Sequence, residues 1–437
     1  MYLGLDIGTT SICAVVLDGE GNIVYTTTKA NDFHGQNENG ERTQDPEKIF
    51  ALCKEIYNET FEKFAVKSVG ISGQMHGVLY VDQNGQAVSP LFSWQDERGN
   101  LPFENATYAE ILSLRSGHKM ATGFGCTSIF YDFLNEKIPE SATSFCTIGD
   151  YIAMKLAGRN TPLLNETNAA SLGLYDLKNH RWDFHAISLV GLPFSLFPEV
   201  TTSVAELGKT NDNVPILTAI GDNQASVYGA EQSPDSLIVN IGTGSQISVI
   251  TDEYHTPPIG CEIRPYFHGQ YLALGCALCG GYAYRLLKDF FNTVSEKEIS
   301  YETMNEWAKN ALNAPLPTTS PLFRGTRTNP TLRASITELS ENNFNAQALT
   351  LSTLKGISKE LKDFYEQIAP ITGKRKNLIG SGNAIRMNPV LRQIIETDYA
   401  AKLNIPAHKE EAAFGAALLA AETLKNKSLK EFIHYTR

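Results

Sequence analysis

The stretch LGLDIGTTSICAVVLD at residues 3–18 returns without a gap as LIVNIGTGSQISVITD at residues 237–252. Seven of the sixteen positions are identical: Leu3/Leu237, Ile7/Ile241, Gly8/Gly242, Thr9/Thr243, Ser11/Ser245, Val15/Val249 and Asp18/Asp252. Each copy reads as an apolar strand, a short turn of glycine and hydroxyl residues, and a second strand. In the first copy a G-E-G-N turn then leads to a third strand, IVYTTTKA. A unit written twice, about half the chain apart, predicts two related domains, and 437 residues exceed what one core supports. The division is expected at residues 1–232 and 233–437, with the polar segment Glu231 to Asp235 as the linker. Each domain should carry a mixed sheet flanked by helices, and EEAAFGAALLAAETLKN at 410–426 is the surest helix. Residues 296–350 read as polar and irregular.

Charge and composition exclude several classes. The net charge is −11, and the longest basic run is Lys374-Arg375-Lys376, so nucleic-acid binding has no electrostatic footprint. No apolar run reaches the roughly 18–20 residues of a membrane span. MYLGLDIGTT does not read as a signal peptide, which makes a cytoplasmic location the expectation. Seven scattered cysteines suit reduced thiols. The single C-x-x-C, Cys276 and Cys279 in LALGCALCGGYA, has no second pair or nearby histidine, so it reads as packing rather than a zinc site. The one G-K-[ST], Gly208-Lys209-Thr210, has Ser203 where a P-loop needs its first glycine, and complete G-x-G-x-x-G and G-x-S-x-G motifs are absent.

What remains is the chemistry of the repeated turn. Gly8, Thr9, Thr10 and Ser11, and likewise Gly242, Thr243 and Gly244, let backbone approach a ligand and offer N–H and O–H donors to anionic oxygens. Either hairpin alone reads first as an ordinary turn; the duplication favours a phosphate clamp. Asp6, on the strand before the first turn, is a candidate Mg²⁺ ligand, and its counterpart is Asn240. Asp222 follows the apolar run ILTAIG, so it can cap a helix, act as a general base, or do both. His76 lies between Gly73 and Gly77 and is either a core histidine or a ligand-lining one. Trp94 offers a flat apolar face. Asp96 and Arg98 either hydrogen-bond a substrate or form an ion pair that holds their loop.

Further motifs follow in order: GISGQMHG (70–77), SWQDER (93–98), GDNQA (221–225), LIGSGNA (378–384) and EAAFGAA (411–417). With the paired hairpins, they resemble the FGGY carbohydrate kinases, and within them the ketose-kinase branch. The resemblance implies an α/β fold of two duplicated ribonuclease H-like domains, as in actin, with a cleft between them. It implies transfer of the γ-phosphate of ATP, with Mg²⁺, to a sugar hydroxyl. It assigns Asp222 as catalytic base and, with Asp6, as a metal-side carboxylate. Gln74, Met75, His76, Trp94, Asp96 and Arg98 would surround the sugar, together with Asn223 and with Asn168 of NETNAAS. Gly8, Thr9, Thr10, Ser11, Gly242, Thr243 and Gly244 would take the phosphates. Gly280, Gly281, Gly380, Gly382 and Asn383 would take the rest of the nucleotide. The expected partners are a small sugar and ATP, with no nucleic acid and no membrane, on a monomer or homodimer. The alternatives are a kinase of another sugar or polyol and a non-catalytic nucleotide-binding member of the same superfamily.

Overall fold

The computed structural model describes residues 1–35, 38–327 and 329–436. The repeat folds as its pattern predicts. In the first sheet, strand Tyr2–Ile7 runs antiparallel to Ser11–Leu17, which in turn pairs with Ile23–Ala30. On its other side Tyr2–Ile7 runs parallel to Ser68–Gly73, in register from Tyr2 opposite Ser68 to Ile7 opposite Gly73. Glu206–Lys209 and Pro215–Leu217 extend that edge, and Ile220–Gly221 pairs with the end of Ser68–Gly73. The second sheet repeats the plan. Ser236–Ile241 is antiparallel to Ser245–Thr251 and parallel to Asn377–Ser381. Tyr271–Ala277 and Cys261–Pro265 continue one side, and Leu403–Pro406 and Tyr435–Thr436 the other.

Two compact units result. The first gathers Met1–Gly229, Arg264–Gly269 and Glu410–Ile433; the second gathers Ala230–Ile263, Gln270–Lys409 and His434–Arg437. The predicted C-terminal helix is present as Glu411–Lys425. A contiguous division assigns it to the second half, but it packs on the first sheet. The reason lies in two strand glycines. A Cβ on Gly4 would sit 2.0 Å from the carbonyl oxygen of Ala413, and one on Gly70 would sit 2.0 Å from that of Ala416. Only bare backbone lets the alanine-rich helix face come that close. Leu3, Leu5 and Ile7 share the opposite face and are fully buried, so with Gly4 against the helix the strand is covered on both faces.

Residues 296–350 are less irregular than their composition implies. Tyr301–Asn310 is a helix with Ser300 as its N-cap, the hydroxyl accepting from Thr303 N at 3.2 Å, and it buries Met304 and Ala308. Residue 328, within the same stretch, lies outside the described residues. None of the cysteines forms a disulfide; Cys279 is buried, and Cys276 Sγ lies 3.4 Å from Gln246 Oε1, in keeping with a packing role. No helix among the described residues is long and apolar enough to cross a membrane.

Candidate active site

The parallel register places Asp6 opposite Ser72 and Asn240 opposite Ser381, so the duplication extends to a pair of side chains. Ser72 Oγ donates to Asp6 Oδ1 at 2.8 Å. In the second copy the direction reverses, and Asn240 Nδ2 donates to Ser381 Oγ at 2.7 Å. One copy keeps an acceptor-only carboxylate where the other keeps a neutral amide.

The turns that follow have their carbonyls tied back. In the first, Gly8 O accepts from Asn31 Nδ2 at 2.8 Å, Thr9 O from Gln44 Nε2 at 2.9 Å, and Thr10 O from Asn31 N at 2.9 Å. In the second, Gly242 O accepts from Gly281 N at 2.8 Å, while Thr243 O accepts from Gly280 N at 2.9 Å and Tyr282 N at 3.0 Å. A carbonyl engaged behind the turn does not oppose an anion in front of it, which suits a turn that meets phosphate with N–H and O–H groups. Gly280 and Gly281 are thus brought onto the second turn. Gly382 belongs to the same cluster. Its φ is +86°, and a Cβ there would meet Ile241 O at 2.4 Å. Gly380 and Asn383 flank it, at the end of strand Asn377–Ser381 and the start of helix Asn383–Met387.

Around the first turn the sugar-site candidates assemble. Gln74 N donates to Ile7 O at 2.9 Å, which sets the GQMHG turn beside the first hairpin. Thr9 Oγ1 donates to Gln74 Oε1 at 3.3 Å and accepts from Trp94 Nε1 at 2.9 Å. Trp94 is 47% exposed, so a large part of its indole remains open to a ligand. His76 adopts a φ of +71°, uncommon for a residue with a side chain; its ring stacks on Phe124 and its Nδ1 lies 2.6 Å from Ser171 O. Met75 is buried beside Gly221, where a Cβ would meet its sulfur at 2.8 Å.

Asp222 opens helix Asp222–Ala230. Its carboxyl is pushed up to about 7, first by burial and then by the charge of Asp6; the backbone N–H of Asn223 and the charge of Arg264 oppose the rise. Asp6 is raised to about 6 by burial, against the Ser72 hydroxyl and with Glu410 adding to it. A buried carboxyl raised further by a neighbouring carboxylate marks a place where a cation would be welcome. Among the described residues no group of three or more His, Cys, Asp or Glu gathers for a metal. A carboxylate pair matches Mg²⁺, which binds through one or two carboxylates and keeps waters and phosphate oxygens for the rest.

Three predicted residues point elsewhere. Asp96 and Arg98 turn inward: Arg98 is fully buried, its Nε lies 3.0 Å from both Asp96 oxygens, and its Nη1 donates to Asp132 Oδ1 at 2.6 Å. Ser128 Oγ donates to Asp96 Oδ2 at 2.6 Å, and the guanidinium lies over the Phe92 ring. This corrects the expectation that they hydrogen-bond the sugar; they form the ion pair that holds the Trp94 loop from behind. Asn168 is also buried, donating to Asp150 Oδ1 at 3.0 Å, and stands behind the site. Sequence reasoning missed Asn31, Gln44, Ser72 and Arg264. Arg264 Nη1 donates to Asn223 Oδ1 at 3.3 Å, bringing a cation to the Asp222 end of the helix. Only Ser72 was readable, as the residue opposite Asp6 once two parallel strands are aligned.

Comparison with known proteins bears on the family and the fold. The chain is 29% identical over 469 residues to sedoheptulokinase of Mus musculus, covering 95% of this chain and 96% of that one. It is 26% identical over 447 residues to a xylulose kinase of Staphylococcus epidermidis, covering 96% and 87%. Its structure is similar to that of gluconate kinase from Lactobacillus acidophilus, with a TM-score of 0.86 at 19% identity over 100% of this chain and 92% of that one. That likeness bears out the fold class: two sheet-containing α/β domains of the actin and ribonuclease H kind. The family model described as FGGY family of carbohydrate kinases, N-terminal domain, matches residues 1–229, and the C-terminal domain model matches residues 237–424. The chain belongs to the FGGY family of carbohydrate kinases.

Proposed function

We propose that this carbohydrate kinase phosphorylates sedoheptulose on its terminal hydroxyl, giving sedoheptulose 7-phosphate and ADP. Asp222 is the general base. The observation that carries the chemistry is the Asp222 carboxyl beside Asp6, raised to about 7 at the start of a helix. A base with that affinity for protons is substantially ionised at neutral pH and still able to take a proton from an alcohol. The sugar oxygen, as its proton passes to Asp222, bonds to the γ-phosphorus while the bond from that phosphorus to the β-bridging oxygen breaks and ADP leaves.

Gln74, Met75, His76 and the Trp94 face orient the sugar, and Asn223, held by Arg264, lies next to the base. The turns at Gly8, Thr9, Thr10 and Ser11, and at Gly242, Thr243 and Gly244, are phosphate-binding elements. Gly280, Gly281, Gly380, Gly382 and Asn383 serve the nucleotide on the side of the second turn. Asp6 and Asp222 would hold Mg²⁺, whose chemistry is to neutralise charge on the phosphates. The choice of sedoheptulose rests on the similarity to sedoheptulokinase along nearly the whole of both chains.

The test is ADP release from Mg-ATP with sedoheptulose, xylulose, ribulose, gluconate and glycerol. Turnover is expected with sedoheptulose above the others. A clear preference for xylulose or another polyol overturns the substrate and leaves the base assignment standing.

A further inference from the structure

We propose that Gln44 is a positioning residue that couples the first phosphate turn to the sugar face, so that nucleotide and sugar tighten each other's binding. The inference rests on the reading of that turn and of Trp94 given above.

Gln44 is 1% exposed, and its side chain is spent entirely on two other site residues. Its Nε2 donates to Thr9 O at 2.9 Å, and its Oε1 accepts from Gln74 Nε2 at 2.8 Å. Thr9 Oγ1 closes the ring onto Gln74 Oε1 at 3.3 Å, and Trp94 Nε1 donates into Thr9 Oγ1 at 2.9 Å. The direction of every bond follows from the Thr9 carbonyl, which can only accept. Gln44 therefore turns Nε2 to Thr9 O and Oε1 to Gln74, whose Nε2 donates to it. That leaves Gln74 Oε1 facing Thr9 Oγ1, which donates to it while accepting from the Trp94 indole. No amide in the ring can flip without breaking a buried bond.

Backbone reinforces the link. The two-residue strand Thr43–Gln44 pairs antiparallel with Leu91–Phe92, with Gln44 opposite Leu91, and Ser93 N donates to Arg42 O at 2.8 Å just before Trp94. Gln44 thus sits on the ribbon that carries the sugar face while holding the carbonyl of the phosphate turn. Ordering Thr9 by a bound phosphate orders the hydroxyl from which the Trp94 indole hangs. By reciprocity, a sugar packed on Trp94 orders Thr9.

The experiment is calorimetric titration of the full chain with sedoheptulose and with xylulose, with and without a non-hydrolysable ATP analogue and Mg²⁺. In the wild type the analogue is expected to tighten sugar binding by roughly 5-fold or more. Gln44→Leu keeps the volume and removes the ring; Trp94→Phe keeps an aromatic face at a half-exposed position and removes only the N–H. Both are expected to cut the coupling to less than about 2-fold. Coupling of wild-type size in both variants, or none in a wild type that binds both ligands, overturns the proposal. If neither sugar binds, the substrate reading fails separately. The coupling is then read from Trp94 emission, as the nucleotide-induced change present in the wild type and absent in Trp94→Phe. Its loss in Gln44→Leu supports the proposal, and its persistence overturns it.

Discussion

Asp222→Asn should separate activity from stability in opposite directions. The substitution preserves what Asp222 does for the fold, since Asn serves at a helix start about as well as Asp. It removes the proposed proton acceptor, and loss of a general base costs roughly 10²–10⁴-fold in turnover. It also removes a charge that the folded state resists. The carboxyl rises from an ordinary 3.8 to about 7, about three units at about 1.4 kcal/mol each, so the buried limit is about 4 kcal/mol. Because the group is only part-buried, solvent screening reduces this to about 1–2 kcal/mol. The sign follows from linkage. A carboxyl whose folded affinity for protons is raised stabilises the fold below about 4, and that contribution is lost as pH climbs through about 7. Asn has nothing to lose in that window. The variant should therefore match the wild type near pH 4 and exceed it by about 1–2 kcal/mol at pH 8, measured by urea denaturation without metal or nucleotide. Turnover is followed as ADP release with the preferred sugar. Activity within tenfold of wild type, or a variant that loses ground to the wild type between pH 4 and pH 8, refutes the reasoning.

Arg98→Met should destabilise the protein by about 3–5 kcal/mol in urea denaturation, because it leaves Asp96 and Asp132 buried without their shared cation. Gly70→Ala puts a methyl 2.0 Å from Ala416 O, a backbone atom that cannot rotate away, so the C-terminal helix must shift; a loss of about 1–3 kcal/mol or more is expected. Asp150, buried and raised to about 7 mainly by that burial, makes wild-type stability decline as pH rises from about 4 to about 7, and Asp150→Asn should flatten the slope of the urea midpoint against pH.

The parts of the molecule that were legible in the sequence are those whose physics is local. Tyr2–Ile7 and Ser236–Ile241 are short apolar runs ending at glycine, and each became the strand its pattern described. Asp222 followed an apolar run into a helix, and it opens one. The misjudged parts depend on partners far along the chain. Helix Glu411–Lys425 was identified as a helix, but its seat on the first sheet is decided by Gly4 and Gly70, hundreds of residues earlier. A glycine inside a strand does hint at close backbone approach; it does not say which backbone. Arg98 looked equally fit for substrate or for its neighbours, and only the arrival of Asp132 and Ser128 from another helix turns it inward. Gln44 carried no signal, because a buried amide is meaningful only through both of its ends. Helix Tyr301–Asn310 was hidden by its polar composition, since only Met304 and Ala308 are buried.

The duplication shows how one folding unit yields two electrostatic environments. Both copies keep the strand, the Gly-Thr turn, the tied-back carbonyls and a serine on the parallel neighbour. At the one charged position inside the strand they differ by Asp6 against Asn240, an oxygen exchanged for an amide nitrogen. With oxygen at Asp6, the serine donates, the site carries negative charge, and burial makes that charge costly unless a cation arrives. With nitrogen at Asn240, the amide donates to the serine and the position stays neutral. A triphosphate brings its own negative charge, so a turn that meets phosphate gains nothing from a carboxylate beside it without a metal to share. The neutral amide suits a turn that binds phosphate alone, and the carboxylate suits one that does so with Mg²⁺. Exchanging them tests this directly: Asn240→Asp should weaken nucleotide binding in calorimetry, and Asp6→Asn should leave nucleotide binding measurable while abolishing its dependence on Mg²⁺. Equal Mg²⁺ dependence in Asp6→Asn and wild type would show that the charge difference between the copies has no such meaning.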